Sequence, residues 1–205
     1  MNALILVDIQ NDFCPGGALA VPDGDQVVAV ANRLQPGFEL VVATQDWHPV
    51  DHKSFAAQHE GREPGQVIEL AGLSQVLWPV HCVQGTDGAA FRDDLEMQRV
   101  ARVFQKGTDP EIDSYSGFFD NGHRKATGLG DYLKGKGVNH VFVMGLATDY
   151  CVKFTALDAI FEGIAVTLIE DGCRAVNLSE GDGAKAIEEM RAAGVDISHA
   201  SRVAS

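Results

Sequence analysis

Three residues of this 205-residue chain could together run a covalent hydrolysis: Asp8, Lys106 and Cys151. Cys151 would attack a carbonyl carbon as the nucleophile. Asp8 would take the thiol proton and later return it to a leaving amine. The Lys106 ammonium, held near both, would favour their anionic forms. Asp8 directly follows the apolar run 3–7, Lys106 follows residues 102–105, and Cys151 lies just beyond the run 140–144. Taken singly, Asp8 reads equally well as a solvated carboxylate, Lys106 as a surface amine and Cys151 as a packed thiol. Their common placement after strand-like runs makes them a set.

The surroundings of Cys151 sharpen this reading. Gly145 permits a sharp turn, Thr148 and Asp149 are good N-cap types, and residues 150–163 carry Val152, Thr155, Ala156, Ala159 and Ile160 at helical spacing. Cys151 is therefore expected in the first turn of a helix that springs from a strand. There the helix dipole and free N–H groups are expected to favour thiolate over thiol. The backbone N–H groups of Ala147 and Cys151 are the natural oxyanion donors, of a kind whose loss typically costs ~10²–10³ in rate.

A second cluster begins at Asp46-Trp47-His48-Pro49-Val50-Asp51-His52 and resumes at Trp78-Pro79-Val80-His81-Cys82. Asp46 and His48, two apart, point to one side of an extended chain. His52 returns through the turn after Pro49, and His81 closes the set. One carboxylate and three imidazoles suit a single divalent ion, Zn²⁺ foremost, with Fe²⁺ or Mn²⁺ as alternatives. Phe13 and Trp78 flank these residues and would form an aromatic slot for a flat ring, with Tyr115 as a further wall. His59, His123, His140 and His199 show no such clustering and read as structural. Cys14, Cys82 and Cys173 read as packing residues.

Strands expected at 3–7, 40–43, 102–105, 140–144 and 164–169, with an edge strand at 195–197, must position these groups. Helices are expected at 27–34, 129–134, 150–163 and 179–193. Strands alternating with helices predict an α/β fold with a mostly parallel sheet and right-handed crossovers. Ligands in such sheets bind beyond the carboxyl ends of the strands, where Asp8, Asp46, Lys106 and Cys151 all fall. Residues 47–82, rich in His, Gly and Pro, read as an irregular insertion within one domain spanning 1–205.

The net charge of −13 argues against nucleic acid or an anionic membrane surface as partner. Four scattered cysteines without a CxxC pair fit a reducing compartment. The apolar run 3–7 is too short for a signal or membrane segment, so a cytoplasmic protein is expected.

Six motifs spread over nearly the whole chain now combine: Asp8-Ile9-Gln10-Asn11-Asp12-Phe13, Gln45-Asp46-Trp47-His48-Pro49, Trp78-Pro79-Val80-His81-Cys82-Val83, Phe104-Gln105-Lys106-Gly107, Asp113-Ser114-Tyr115-Ser116, and Met144-Gly145-Leu146-Ala147-Thr148-Asp149-Tyr150-Cys151. On these the sequence resembles the isochorismatase-like cysteine hydrolases, and among them the metal-dependent nicotinamidase branch. The resemblance implies a three-layer α/β/α fold with about six strands, the triad Asp8, Lys106, Cys151, and the ligands Asp46, His48, His52 and His81. It further implies a cis peptide between Leu146 and Ala147 that aims the Ala147 N–H at the oxyanion, with Leu146 counted among the substrate contacts. The implied reaction is hydrolysis of nicotinamide to nicotinate and ammonia through a thioester, in NAD salvage, with pyrazinamide as a second substrate. A homo-oligomer is compatible with it. Two other readings stay open: an amidase for a different small amide, and a metal-storage or metal-sensing module with Cys151 as a redox thiol. A phosphoaspartyl role for Asp8 is set aside, because Gln10 stands where a second carboxylate is needed.

Overall fold

Residues 3–7 are apolar and wholly buried, as a strand covered on both faces requires. They form the middle of the sheet in the computed structural model, which describes residues 1–203 and leaves Ala204 and Ser205 outside. In chain order the elements are β1 (Asn2–Val7), α1 (Val27–Leu34), β2 (Leu40–Asp46), β3 (Val67–Leu70), β4 (Leu73–Val76), β5 (Val100–Lys106), α2 (Leu129–Gly135), β6 (His140–Leu146), α3 (Lys153–Phe161), β7 (Ala165–Arg174), α4 (Asp182–Ala192), β8 (Asp196–Ser198) and α5 (Ala200–Val203). The main sheet has six strands in the order β5-β2-β1-β6-β7-β8, every neighbour parallel. The chain winds outward from β1 to β2 and β5, then returns to the other side of β1 to lay down β6, β7 and β8. The switch between β1 and β6 opens a crevice at their carboxyl ends.

Helices α1 and α5 pack together on one face, and α3 and α4 on the other. Lys134 of α2 pairs with Glu162 at the end of α3, which puts α2 on the α3 side. α1 buries Val27, Val28, Ala31 and Leu34, one stripe of an amphipathic helix. This is the expected α/β/α sandwich. Among the described residues no helix is long and apolar enough to cross a membrane, and all four cysteines are free and buried.

Two expectations need correction. The insertion is not irregular throughout, because β3 and β4 pair as an antiparallel hairpin. Its turn places Ala71 at φ 51° and Gly72 at φ 80°, the left-handed pair of a two-residue hairpin turn. The helix expected over 150–163 opens instead as a π-helical turn, Thr148–Val152, and becomes α-helical only over Lys153–Phe161.

Candidate active site

Asp8 leaves β1 in the left-handed region, at φ 48°, a conformation that Asp tolerates better than most residues. The bend turns its buried carboxylate into the sheet end. There Thr44 Oγ1 of β2 donates to Asp8 Oδ1 at 2.6 Å. Lys106 ends β5 with its ammonium fully enclosed. It donates to Asp46 Oδ1, to the Ser114 carbonyl at 2.9 Å and to Cys151 Sγ at 3.3 Å. Asp8 Oδ2 pairs with the same Nζ at 2.8 Å.

Cys151 is carried by the π-helical turn. The Ala147 carbonyl accepts from Tyr150 N–H and Val152 N–H, both at 3.1 Å, and the Leu146–Ala147 peptide is cis. Asp149 fixes the turn from outside: its carboxylate accepts Val176 N–H at 2.9 Å and Asn177 N–H at 2.8 Å. Oxygens of Asp8 and Asp46 and the sulfur of Cys151 lie within 4.8 Å of one another. The three strand ends therefore bring Asp8, Lys106 and Cys151 to one point.

The charges settle accordingly. Lys106 is held well above the ordinary lysine range: burial opposes its charge, but Asp46 and Asp8 outweigh that. Asp46 stays well below the usual carboxylate range, because Lys106 and His48 overcome its burial. Burial raises the Asp8 pKa, with Lys106 pulling against it. Burial also pushes the Cys151 thiol well up, Lys106 opposing and the two carboxylates adding to the rise. The helix-start preference for thiolate therefore meets an opposing environment. A helix start favours thiolate when it is open to water and free of anions, and this one is neither. Burial thus works against the thiolate, and the Asp8 carboxylate stands close enough to receive the thiol proton.

Beside this triad stands the imidazole cluster. Ring nitrogens of His48 and His81 and an oxygen of Asp46 lie within 4.8 Å of one another, with Asp46 Oδ2 at 3.6 Å from His48 Nε2 and 3.7 Å from His81 Nε2. His48 Nδ1 faces the Gly107 carbonyl at 2.9 Å and His81 Nδ1 the Pro79 carbonyl at 2.7 Å. A carbonyl only accepts, so each Nδ1 carries the proton and each Nε2 presents a lone pair inward. His48 Nε2 is buried without a hydrogen-bond partner. Ligands bound at ~2.0–2.2 Å sit roughly 3–3.6 Å apart, so the spacing fits one divalent ion with little adjustment. Two imidazoles and one carboxylate leave positions open for water or a ligand.

His52 is placed differently from expectation. Its ring stacks obliquely on His48, with centroids 4.4 Å apart, yet its ring nitrogen groups with His48 and Asp113, not with Asp46 and His81. Asp113 Oδ1 lies 4.0 Å from His48 Nε2.

Both groups open onto one cleft. Asp46, His81, Ala147 and Cys151 line it, with Phe13, Trp78 and Tyr115 as expected. Trp78 packs edge-on to Tyr150 at 4.8 Å, and its Nε1 donates to the Tyr115 hydroxyl at 3.2 Å. Leu19, Asp113, Tyr150 and Val176 also line the cleft, and sequence reasoning missed them as site residues. Asp113 and Tyr150 stood inside motifs already quoted, whereas Leu19 and Val176 reach the cleft only through loop folding. Leu146 does not line it: the side chain is wholly buried, near Gly24. Leu146 ends β6 inside the core, and Ala147, just beyond the strand, faces the cleft.

Known proteins share this architecture. The Isochorismatase domain family matches residues 2–201. The chain is 55% identical to a nicotinamidase of Escherichia coli over 200 residues, covering 96% of this chain and 93% of that one. A solved nicotinamidase/pyrazinamidase of Acinetobacter baumannii superposes with a TM-score of 0.96 at 46% identity, covering 98% and 97% of the two chains. A zinc complex of a Pyrococcus horikoshii pyrazinamidase gives a TM-score of 0.78 at 39% identity, covering 97% and 98%. With a family match over almost its full length and a solved relative superposing on nearly all of it, the chain belongs to the isochorismatase-like hydrolase family.

Proposed function

We propose that this chain hydrolyses nicotinamide to nicotinate and ammonia, as a metal-assisted cysteine amidohydrolase of NAD salvage. The observation that carries the reading is the enclosed Lys106 ammonium, 3.3 Å from Cys151 Sγ and 2.8 Å from Asp8 Oδ2, directly beside the Asp46–His48–His81 cluster. Kinship with the nicotinamidase of Escherichia coli supports the substrate, and the Pyrococcus horikoshii zinc complex supports a metal.

Phe13, Trp78 and Tyr115 wall the flat ring and set the carboxamide over the sulfur, so that much of the rate comes from orientation. Cys151 Sγ attacks the carboxamide carbon while its proton passes to the Asp8 carboxylate, which lies within 4.8 Å of the sulfur. The carbonyl π electrons move to oxygen, and the N–H groups of Ala147 and Cys151 receive the oxyanion. Asp8 returns the proton to the amide nitrogen, the C–N bond breaks, and ammonia leaves a thioester on Cys151. Asp8, again a carboxylate, takes a proton from water that attacks the thioester carbon. The C–S bond breaks, nicotinate leaves, and the sulfur recovers its proton. Lys106 keeps its charge throughout and balances whichever of Asp8 and Cys151 is anionic. A divalent ion held by Asp46, His48 and His81, Zn²⁺ foremost with Fe²⁺ or Mn²⁺ as alternatives, would supply a Lewis-acid anchor for the ring nitrogen.

Pyrazinamide offers the same carboxamide and a ring nitrogen in the same place, which makes it a second substrate. Residues 1–205 act as one hydrolase domain in this reading, and the free, separated cysteines suit the cytoplasm. The deciding experiment is ammonia release from a panel of small amides, with and without chelator. Nicotinamide and pyrazinamide should lead the panel and lose their turnover on chelation. Preference for a non-aromatic amide, or indifference to chelator, would reject the proposal.

A further inference from the structure

The clustered imidazoles are not equivalent, and the difference lies in what each Nδ1 meets. His48 and His81 direct Nδ1 at carbonyls, which forces the proton onto Nδ1 and leaves Nε2 as a ligand atom. His52 Nδ1 instead receives the backbone N–H of Ser54 at 3.1 Å, with Ser54 Oγ at 2.8 Å. A backbone N–H can only donate. His52 Nδ1 is therefore an acceptor, and the neutral ring carries its proton on Nε2, where it cannot bind a metal. That Nε2 is buried and has no hydrogen-bond partner. Its ring nitrogen, that of His48 and an Asp113 oxygen lie within 4.8 Å of one another.

Asp113 is itself a placed group. Buried in the cleft wall, it accepts Ser114 N–H through Oδ1 at 2.8 Å and the Gln75 amide through Oδ2 at 3.2 Å. These bonds fix its carboxylate against His48 while leaving lone pairs free. It has no step in the reaction described above. His48 has one inward lone pair, so an ion bound by Asp46, His48 and His81 cannot share that nitrogen with a second ion beside Asp113. The shorter carboxylate spacing is also on the Asp46 side, 3.6 Å against 4.0 Å from His48 Nε2.

We infer that His52 and Asp113 form an outer donor–acceptor pair that holds the coordinated water of the ion, and that neither ligates the metal. The inference rests on the metal reading proposed above. His52 Nε2–H would donate a hydrogen bond to an oxygen held by the ion, and Asp113 would accept a hydrogen bond from such a water. Such partners orient the coordination sphere and typically strengthen metal binding by ~10–100-fold.

The test uses the metal-loaded protein and counts imidazoles by X-ray absorption, with affinity read by competition against a chromogenic chelator. Wild type should bind one ion with two imidazoles. The count should stay at two in His52→Gln and Asp113→Asn, and fall to one in His81→Gln. Asp113→Asn should bind the ion ~10–100-fold more weakly, and cadmium-loaded protein serves as a second readout where a variant loads poorly. Three imidazoles in wild type, falling to two in His52→Gln, would overturn the inference and leave the metal reading standing. Unchanged affinity in Asp113→Asn would overturn the part given to Asp113. Failure of wild type to bind any stoichiometric ion would remove the metal reading itself, and this inference with it.

Discussion

Asp8 owes its place in the chemistry to the Lys106 ammonium beside it. Its Oδ2 lies 2.8 Å from Nζ, and a carboxylate oxygen has a further lone pair for the thiol proton. Replacing Cys151 with Ala should lower turnover by at least ~10⁴-fold while nicotinamide still binds, read by calorimetry on the metal-loaded variant. Near wild-type turnover would exclude Cys151 as nucleophile. Asp8 must be ionised to accept the thiol proton, and burial raises its pKa. The rate therefore falls as pH drops through a value above the ~3.9 of a free aspartate. A kcat/KM profile still flat at pH 4 would contradict this. In Lys106→Ala the thiol loses a neighbour that lowers its pKa. Iodoacetamide should then label Cys151 more slowly at fixed pH, and an unchanged rate would show that Lys106 does not tune the sulfur.

Among the elements, the turns carry more of the site than the strands do. Gly107 follows β5 at φ +64°, and an added Cβ would lie 2.3 Å from Cε1 of His48 and 2.5 Å from its Nδ1. Gly107→Ala should push the ring off its carbonyl and weaken metal binding by ~10–100-fold, measurable by chelator competition. Gly145, at φ +127°, would bring a Cβ within 2.1 Å of the Val7 carbonyl. Gly145→Ala should destabilise the fold by ~3 kcal/mol or more, read from denaturant unfolding. The strands themselves were legible, since β1 and β6 are short apolar runs with a polar residue or a glycine near their ends. The β3–β4 hairpin was not, because its turn is Ala71-Gly72 and alanine gives no signal for a left-handed residue. The triad could be read from strand ends, and Asp46, His48 and His81 from their density. The separate role of His52 could not, because it depends on which backbone group meets its Nδ1.

At the scale of the whole molecule, the site sits where the sheet reverses its winding. β1 delivers Asp8, β2 Asp46, β5 Lys106 and β6 the turn with Cys151, so residues far apart in sequence meet only in the completed sheet. An ion shared by Asp46 and His81 ties β2 to the loop after β4. Binding to the native state alone stabilises it by ~2.7 kcal/mol at a hundredfold excess over Kd. Stripping the ion should therefore lower Tm by roughly 5–10 °C, and restoring it should reverse the fall. A Tm indifferent to chelator would mean that the cluster holds no ion.

The ammonium between Asp46 and Cys151 has a practical consequence. A dication settling on Asp46 competes for that carboxylate, so Lys106 is freed to lean toward the sulfur. Loaded and stripped molecules should then differ in their sensitivity to electrophiles, the loaded ones being the quicker to react. A covalent inhibitor would preferentially remove the copies that are ready for turnover, and a simple thiol titration would become a census of filled centres.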